Sequence, residues 1–282
     1  MWSWILGAAI GFGSGVLSGA FGIGGGIVTT PAIRLIMGAP ALIAVGTPLP
    51  VIIPSAITGG LSYGRRGLVD LRAGIVVGIA GSMTAVAGAL LASRLGGEIV
   101  LLGTALLIFY AAADTILQVV HPPNGIPAED VSELHEAEEA TVAGPDGVPG
   151  ALATPENRPA LPWLIGIGLL TGLYSGFFGL GGGFVLVPML TRWLRFPIKR
   201  AIGTSLVAVC LLAIPGTVTH ALLGNIDWLI AGGLVLGVVP GALVGAHLTI
   251  GARDREVRIG FALMLVAAGA WLAVSEIAKM TR

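Results

Sequence analysis

Two glycine runs set in apolar sequence hold the positions of this chain best suited to chemistry. The first reads Gly19-Ala20-Phe21-Gly22-Ile23-Gly24-Gly25-Gly26-Ile27-Val28, and 157 positions on the second reads Gly176-Phe177-Phe178-Gly179-Leu180-Gly181-Gly182-Gly183-Phe184-Val185. Consecutive glycines carry close to the maximum entropy cost in a helix, so each run predicts a helix break. The residues that follow are mostly β-branched or bulky and predict a short extended piece. Pro31 and Pro188 then suit the start of a new helix, with Thr30 as its cap in the first copy and Val187 in that place in the second. A helix N-terminus fed by a backbone without side chains lets an anion reach unpaired N–H groups. The candidate anion-binding positions are therefore Gly22, Gly24, Gly25 and Gly26, with Gly179, Gly181, Gly182 and Gly183. Equivalent hydroxyls join them: Ser18 and Ser175, one turn before the runs, and Thr47 and Thr204, each after a glycine. A threonine hydroxyl equally well satisfies the carbonyl four residues back. Two titratable residues, His220 and Asp114, are weaker candidates for proton coupling, since both also fit the ends of spans.

The elements that must position these residues follow from composition and repetition. The chain has 282 residues, 55% apolar and 11% charged, too little charge to cover a water-soluble fold of that size. Apolar runs at roughly 2–21, 41–63, 73–93, 99–119, 161–178, 201–223, 228–250 and 259–278 each approach the ~20 residues that cross a bilayer as a helix. The expected fold is an all-α integral membrane protein of about eight transmembrane helices, in two duplicated four-helix halves, each with a glycine-broken helix. The 157-residue offset also pairs Gly11 with Gly168, Gly46-Thr47 with Gly203-Thr204, Asp70 with Asp227 and Gly88-Ala89 with Gly245-Ala246. Duplication in an apolar chain is a mark of transporters. Gly7, Gly11, Gly15 and Gly19 fall four apart on one helix face, as do Gly168, Gly172 and Gly176, a spacing that packs helices backbone to backbone.

The halves are residues 1–120 and 161–282. Between them, residues 121–160 hold eight acids and one base and read as a solvent-exposed acidic linker. Strict alternation of spans gives one face nine bases (Arg34, Arg94, Arg192, Arg195, Lys199, Arg200, Arg253, Arg255, Arg258). The other face then takes Arg65, Arg66, Arg72, Arg158, Lys279, Arg282 and the linker. The positive-inside rule then sets the termini and the linker outside, with Arg65-Arg66 arguing the other way. Four spans per half make the repeats parallel; a glycine break that adds or removes a crossing makes them inverted. Other functions find no residues to carry them. There is no Walker A loop for a pump, no H-E-x-x-H pair for a metalloprotease, and a single cysteine, Cys210. No metal, cofactor or nucleic acid is expected. The expected partners are a small anionic substrate and the lipid bilayer, with a homo-oligomer left open. Carrier and passive anion channel, or the membrane subunit of a larger complex, are not separated by these residues.

The paired glycine blocks, each followed by a proline and then a Gly-Thr, resemble the TauE/SafE family of sulfite exporters. Gly237-Val238-Val239-Pro240-Gly241-Ala242-Leu243-Val244-Gly245-Ala246 is similar to that family's small-residue helix. The resemblance covers nearly all of the chain outside the linker. It implies a secondary transporter that exports a small sulfur-containing anion, sulfite or an organosulfonate, across a prokaryotic cytoplasmic membrane.

Overall fold

The computed structural model describes residues 2–95, 159–179 and 181–280, with positions 100, 103, 106–111, 113 and 117 between them; side chains are described within 4–271. Among these residues the fold is all-helical: α1 (Trp2–Phe21), α2 (Gly26–Leu35), α3 (Ala41–Gly46), α4 (Pro48–Gly64), α5 (Leu71–Leu95), α6 (Leu161–Phe178), α7 (Gly183–Trp193), α8 (Ile198–Leu222), α9 (Trp228–Gly251) and α10 (Asp254–Met280). Among the described residues six segments are long and apolar enough to span a bilayer: α1, α3 with α4, α5, α6, α8 and α9. They coincide with six of the eight expected runs. The run 99–119 falls mostly outside the described residues, as do Asp114 and the linker up to residue 158, and the run 259–278 lies within α10. The prolines after Thr47 cause only a lapse in helical hydrogen bonding, since Thr47 keeps helical angles (φ −61°, ψ −33°).

Small residues decide which helices touch. Gly7, Gly11, Gly15 and Gly19 lie in order against Gly233, Leu234, Val238 and Ala242, and a Cβ at Gly11 or Gly19 would strike a carbonyl of α9. α1 and α9 therefore run parallel, backbone to backbone. α6 pairs with α5 in the same sense, Gly168 against Val77, Gly172 against Gly81 and Gly176 against Ala85. α5 also runs parallel to α8, with Gly74 and Gly78 against Val207 and Leu211.

These directions sort the helix ends onto two faces. α1, α4 and α9 start on the first face, whereas α5, α6 and α8 start on the second. α2 returns to the first face, where Ile33 and Ala39 share a buried cluster with Val51, Ala231 and Leu234. α1 and α2 thus form a hairpin with no net crossing. α6 and α7 form the opposite hairpin, entering from the second face and returning to the start of α8. Trp2 and Ala160 consequently lie on opposite faces, where strict alternation would put them together; the glycine turn, which sends the chain back, is the reason. The charges regroup accordingly. The second face collects Arg65, Arg66 and Arg72 with Arg192, Arg195, Lys199, Arg200, Arg253, Arg255 and Arg258, leaving on the first Arg34, Arg94 and, at the far end of α10, Lys279, among the described residues. Exposed tryptophans mark both levels: Trp4 and Trp228 on the first face, and Trp163 edge-on to Trp193 at 6.0 Å on the second.

Candidate anion-binding site

Each glycine run ends one helix and caps the next. The Gly22 N–H donates to the Ser18 carbonyl at 2.8 Å, and the Gly179 N–H to that of Ser175 at 3.0 Å. Gly22, Gly24 and Gly25 then take φ of +70°, +77° and +83°, matched by Gly179, Gly181 and Gly182 at +64°, +80° and +72°. A β-carbon is strained at such angles, which is why these positions are glycine. The new helices begin earlier than the prolines led us to expect. The Gly25 carbonyl accepts from Val28 and Thr29, and the Gly182 carbonyl from Val185 and Leu186, so α2 and α7 nucleate on glycine. Pro31 and Pro188 fall inside the helices, and Thr30 caps nothing; its hydroxyl is buried without a partner. Neither N-cap glycine brings a side chain. Among the described residues, no acceptor receives the N–H groups of Gly25, Gly26 and Ile27, or of Gly182, Gly183 and Phe184, although all six residues are buried.

The two breaks meet. A Cβ at Gly183 would collide with the Gly22 carbonyl, and one at Gly181 would lie 3.5 Å from the Ile23 carbonyl oxygen, so the segments pass side by side in opposite directions. Gly24 and Gly181 both rest on Ile52 of α4 and Val209 of α8. Gly22 sits on α8 at Ile202, where the Ser205 hydroxyl donates to its carbonyl at 2.9 Å, and Gly179 sits on Val45 of α3. The runs are glycine twice over, for the turn and for close approach to the opposite half.

Ser18 and Ser175 stand at the caps. Ser18 Cβ lies 3.6 Å from where Gly25 would carry a Cβ, and Ser175 Cβ 3.3 Å from the corresponding point at Gly182. Ser175 Oγ is buried without a partner. Ser18 Oγ accepts from Ser55 Oγ at 2.7 Å, and Ser14 lies beside them, its hydroxyl donating to the Gly11 carbonyl at 3.0 Å. Ser55 escaped the sequence reading because it has no counterpart in the second copy, where Leu212 stands. The remaining signal was a lone hydroxyl in a proline-rich apolar span.

Thr47 and Thr204 make equivalent bonds across the two halves. The Asp227 N–H donates to Thr47 Oγ1 at 3.0 Å and the Asp70 N–H to Thr204 Oγ1 at 2.9 Å. Gly46 and Gly203 admit this approach, for a Cβ at either would strike the carbonyl of Asn225 or Leu68. Both aspartates also cap the helices that follow them, Asp227 accepting from Leu229 and Ile230 and Asp70 from Ala73. Of the two, Asp70 alone has a cation among the described residues, Arg200 at 3.0 Å. His220 and Tyr63, equivalent by position, anchor equivalent carbonyls: His220 Nε2 lies 3.3 Å from Gly176 O, and Tyr63 Oη donates to Gly19 O at 3.0 Å. His220 Nδ1 faces Asn225 Nδ2 at 3.4 Å, so both ring nitrogens are engaged if Nε2 carries the proton. Among the described residues no group of His, Cys, Asp and Glu could hold a metal ion.

Bilayer-length helices, with buried helix N-termini at two glycine breaks that cross between opposed hairpins, are the build of a multi-pass membrane transporter. Sequence comparison makes the class specific. The chain belongs to the sulfite exporter TauE/SafE family, whose model matches residues 7–272. It is 25% identical over 253 residues to the probable membrane transporter protein YunE of Bacillus subtilis (strain 168), covering 87% of each chain. A probable membrane transporter protein of Xylella fastidiosa (strain 9a5c) is 27% identical over 243 residues, 86% of this chain and 82% of that one. A third relative, the probable membrane transporter protein MJ0441 of Methanocaldococcus jannaschii, is 26% identical over 218 residues. No solved structure matches significantly.

Proposed function

We propose that this chain is a secondary transporter that exports a small sulfur-containing oxyanion, sulfite or an organosulfonate, bound at the glycine breaks. The observation that carries the reading is the set of buried N–H groups without acceptors among the described residues at the starts of α2 and α7, each beside an equivalent serine. Burying an unpaired N–H costs about 1–3 kcal/mol, and six in one region is a standing demand for an acceptor. The two helix dipoles favour an anion there. Gly22, Gly24, Gly25 and Gly26 with Gly179, Gly181, Gly182 and Gly183 form the backbone cradle, and Ser18 and Ser175 supply hydroxyl donors. Thr47 and Thr204 hold the turns before α9 and α5 against the opposite half.

The opposed hairpins are the arrangement an inverted repeat requires, and alternating access follows from the relative tilt of its two halves. The basic second face is cytoplasmic on the positive-inside rule, with Arg65 and Arg66 now on the side of the majority. The inside-negative potential of a prokaryotic cytoplasmic membrane then drives an anion outward, at ~2.3 kcal/mol per charge per 100 mV.

Purified protein in proteoliposomes tests this. Counterflow is measured for sulfite, thiosulfate, sulfate and a sulfonate, against sodium and potassium. Exchange of a sulfur oxyanion is expected; flux of cations alone overturns the assignment.

A further inference from the structure

The corner that follows each short half-helix occurs twice, and its chemistry differs between the two faces. On the first face α2 runs out through Leu35-Ile36-Met37-Gly38. On the second, 157 positions on, α7 runs out through Arg192-Trp193-Leu194-Arg195. Gly38 takes φ +69° without strain, whereas Arg195 holds φ +53°, an angle that costs a residue with a side chain free energy. The helix dipole does not ask for that cation, since each helix already carries one in its last turn, Arg34 in α2 and Arg192 in α7. Strain kept at a position whose twin is glycine points to a use for the side chain.

The surroundings of Arg195 define the use. It is exposed, and so are Trp193 two residues before it and Trp163 at the start of α6, whose rings meet edge-on at 6.0 Å. The equivalent corner has neither ring, with Leu6 in place of Trp163 and Ile36 in place of Trp193. The acids described on the second face are engaged elsewhere: Asp70 holds Arg200 at 3.0 Å, Asp254 lies 3.7 Å from Lys199, and Glu256 accepts from the Arg253 N–H at 3.2 Å. No carboxylate among the described residues neutralises Arg195. We propose that this corner binds the headgroup of an anionic phospholipid from the leaflet that meets the second face. The planar guanidinium takes the phosphate, whose oxygens match its fork of N–H donors. The indole rings, at headgroup level, lie along the glycerol and the upper acyl chain. A free phosphate would use the arginine alone, and the exposed rings beside it are what favour a lipid. The occupant is a lipid whether or not the protein carries sulfite.

The purified full chain in neutral detergent is titrated with phosphatidylglycerol, phosphatidylcholine or sodium phosphate, read by thermal unfolding and by native mass spectrometry of retained lipid. Phosphatidylglycerol is expected to be retained in preference and to raise the unfolding temperature, and phosphatidylcholine and phosphate to do neither. Arg195→Gly, which copies Gly38, should raise the unfolding temperature in lipid-free detergent by relieving the strain. It should nevertheless cut the preference for phosphatidylglycerol about fivefold, the worth of one cation at an anionic surface. A purely structural arginine would move the first readout and not the second. Trp193→Leu should weaken lipid retention as well, and Arg94→Gln, at an exposed cation on the first face, should leave it as in the parent. Equal retention of the two lipids by the parent overturns the proposal, as does an Arg195→Gly variant that retains phosphatidylglycerol as the parent does. Sodium phosphate that matches phosphatidylglycerol overturns the lipid assignment.

Discussion

Replacing Gly25 with alanine separates a binding site from a mere turn. Gly25 has φ +83° and ψ −14°, where an L-residue costs about 1–2 kcal/mol. Space is tight yet sufficient: the added Cβ would lie 3.3 Å from the Ser14 carbonyl oxygen, 3.6 Å from Ser14 Oγ and 3.6 Å from Ser18 Cβ. The methyl therefore fills the gap between the helix N-terminus and Ser18 without a backbone collision. Gly38→Ala is the matched control. Its φ is +69°, nothing lies within 4 Å of the Cβ it would gain, and it sits far from the breaks at the end of α2. Both variants should lose about 1–2 kcal/mol of stability through backbone strain alone. Only Gly25→Ala should also lose sulfite affinity, by roughly tenfold to a hundredfold if one charge-assisted hydrogen bond goes. The assay is sulfite-induced thermal stabilisation and flux, on variants that remain monodisperse. If Gly25→Ala binds sulfite as tightly as Gly38→Ala, the glycine run is a turn and the site assignment is wrong. Gly11→Ala and Gly168→Ala are poor controls, since their methyls would meet backbone oxygens of Leu234 and Val77.

Thr204→Val strips the acceptor from the Asp70 N–H and should cost about 1 kcal/mol of stability, with Thr204→Ser retaining most of it; Thr47→Val should behave alike at the other face, read by thermal unfolding. In a Cys210→Ser background, Arg66→Cys and Arg255→Cys should react with an impermeant maleimide from the same side of the membrane and Gly38→Cys only from the other. Labelling of all three from one side would refute the opposed hairpins. Flux driven by an imposed potential should persist in folded His220→Gln, because the ring serves the Gly176 carbonyl and Asn225, and in Asp114→Asn; its loss in either would favour proton coupling.

The sequence disclosed the helical membrane class, the breaks and their pairing, because glycine runs, apolar runs of bilayer length and a fixed offset are local signals. The direction of the chain after the break was not local. Whether α2 goes on or turns back is decided by Ile33 meeting Leu234, two hundred residues away. The threonines were singled out as hydroxyls that could face an anion, yet their oxygens accept N–H groups from the opposite half, a pairing visible only once the halves are side by side. Arg195 shows the reverse case. It holds φ +53° at the position equivalent to Gly38, a conformation that no arginine advertises. Ser55 was invisible because the repeat itself directed attention to residues that occur twice.

The parallel pairing of α1 with α9 has a consequence for how the protein is made. α1 enters the membrane first, but the surface that its glycines fit is among the last to leave the ribosome. A chain halted after α5 would hold a helix whose Gly11, Gly15 and Gly19 face lipid with nothing in their grooves, beside an α5 equally short of α6. Neither half can close its own seam. Insertion must therefore keep two unmated helices apart from each other and from neighbouring proteins until synthesis of the second half supplies both partners.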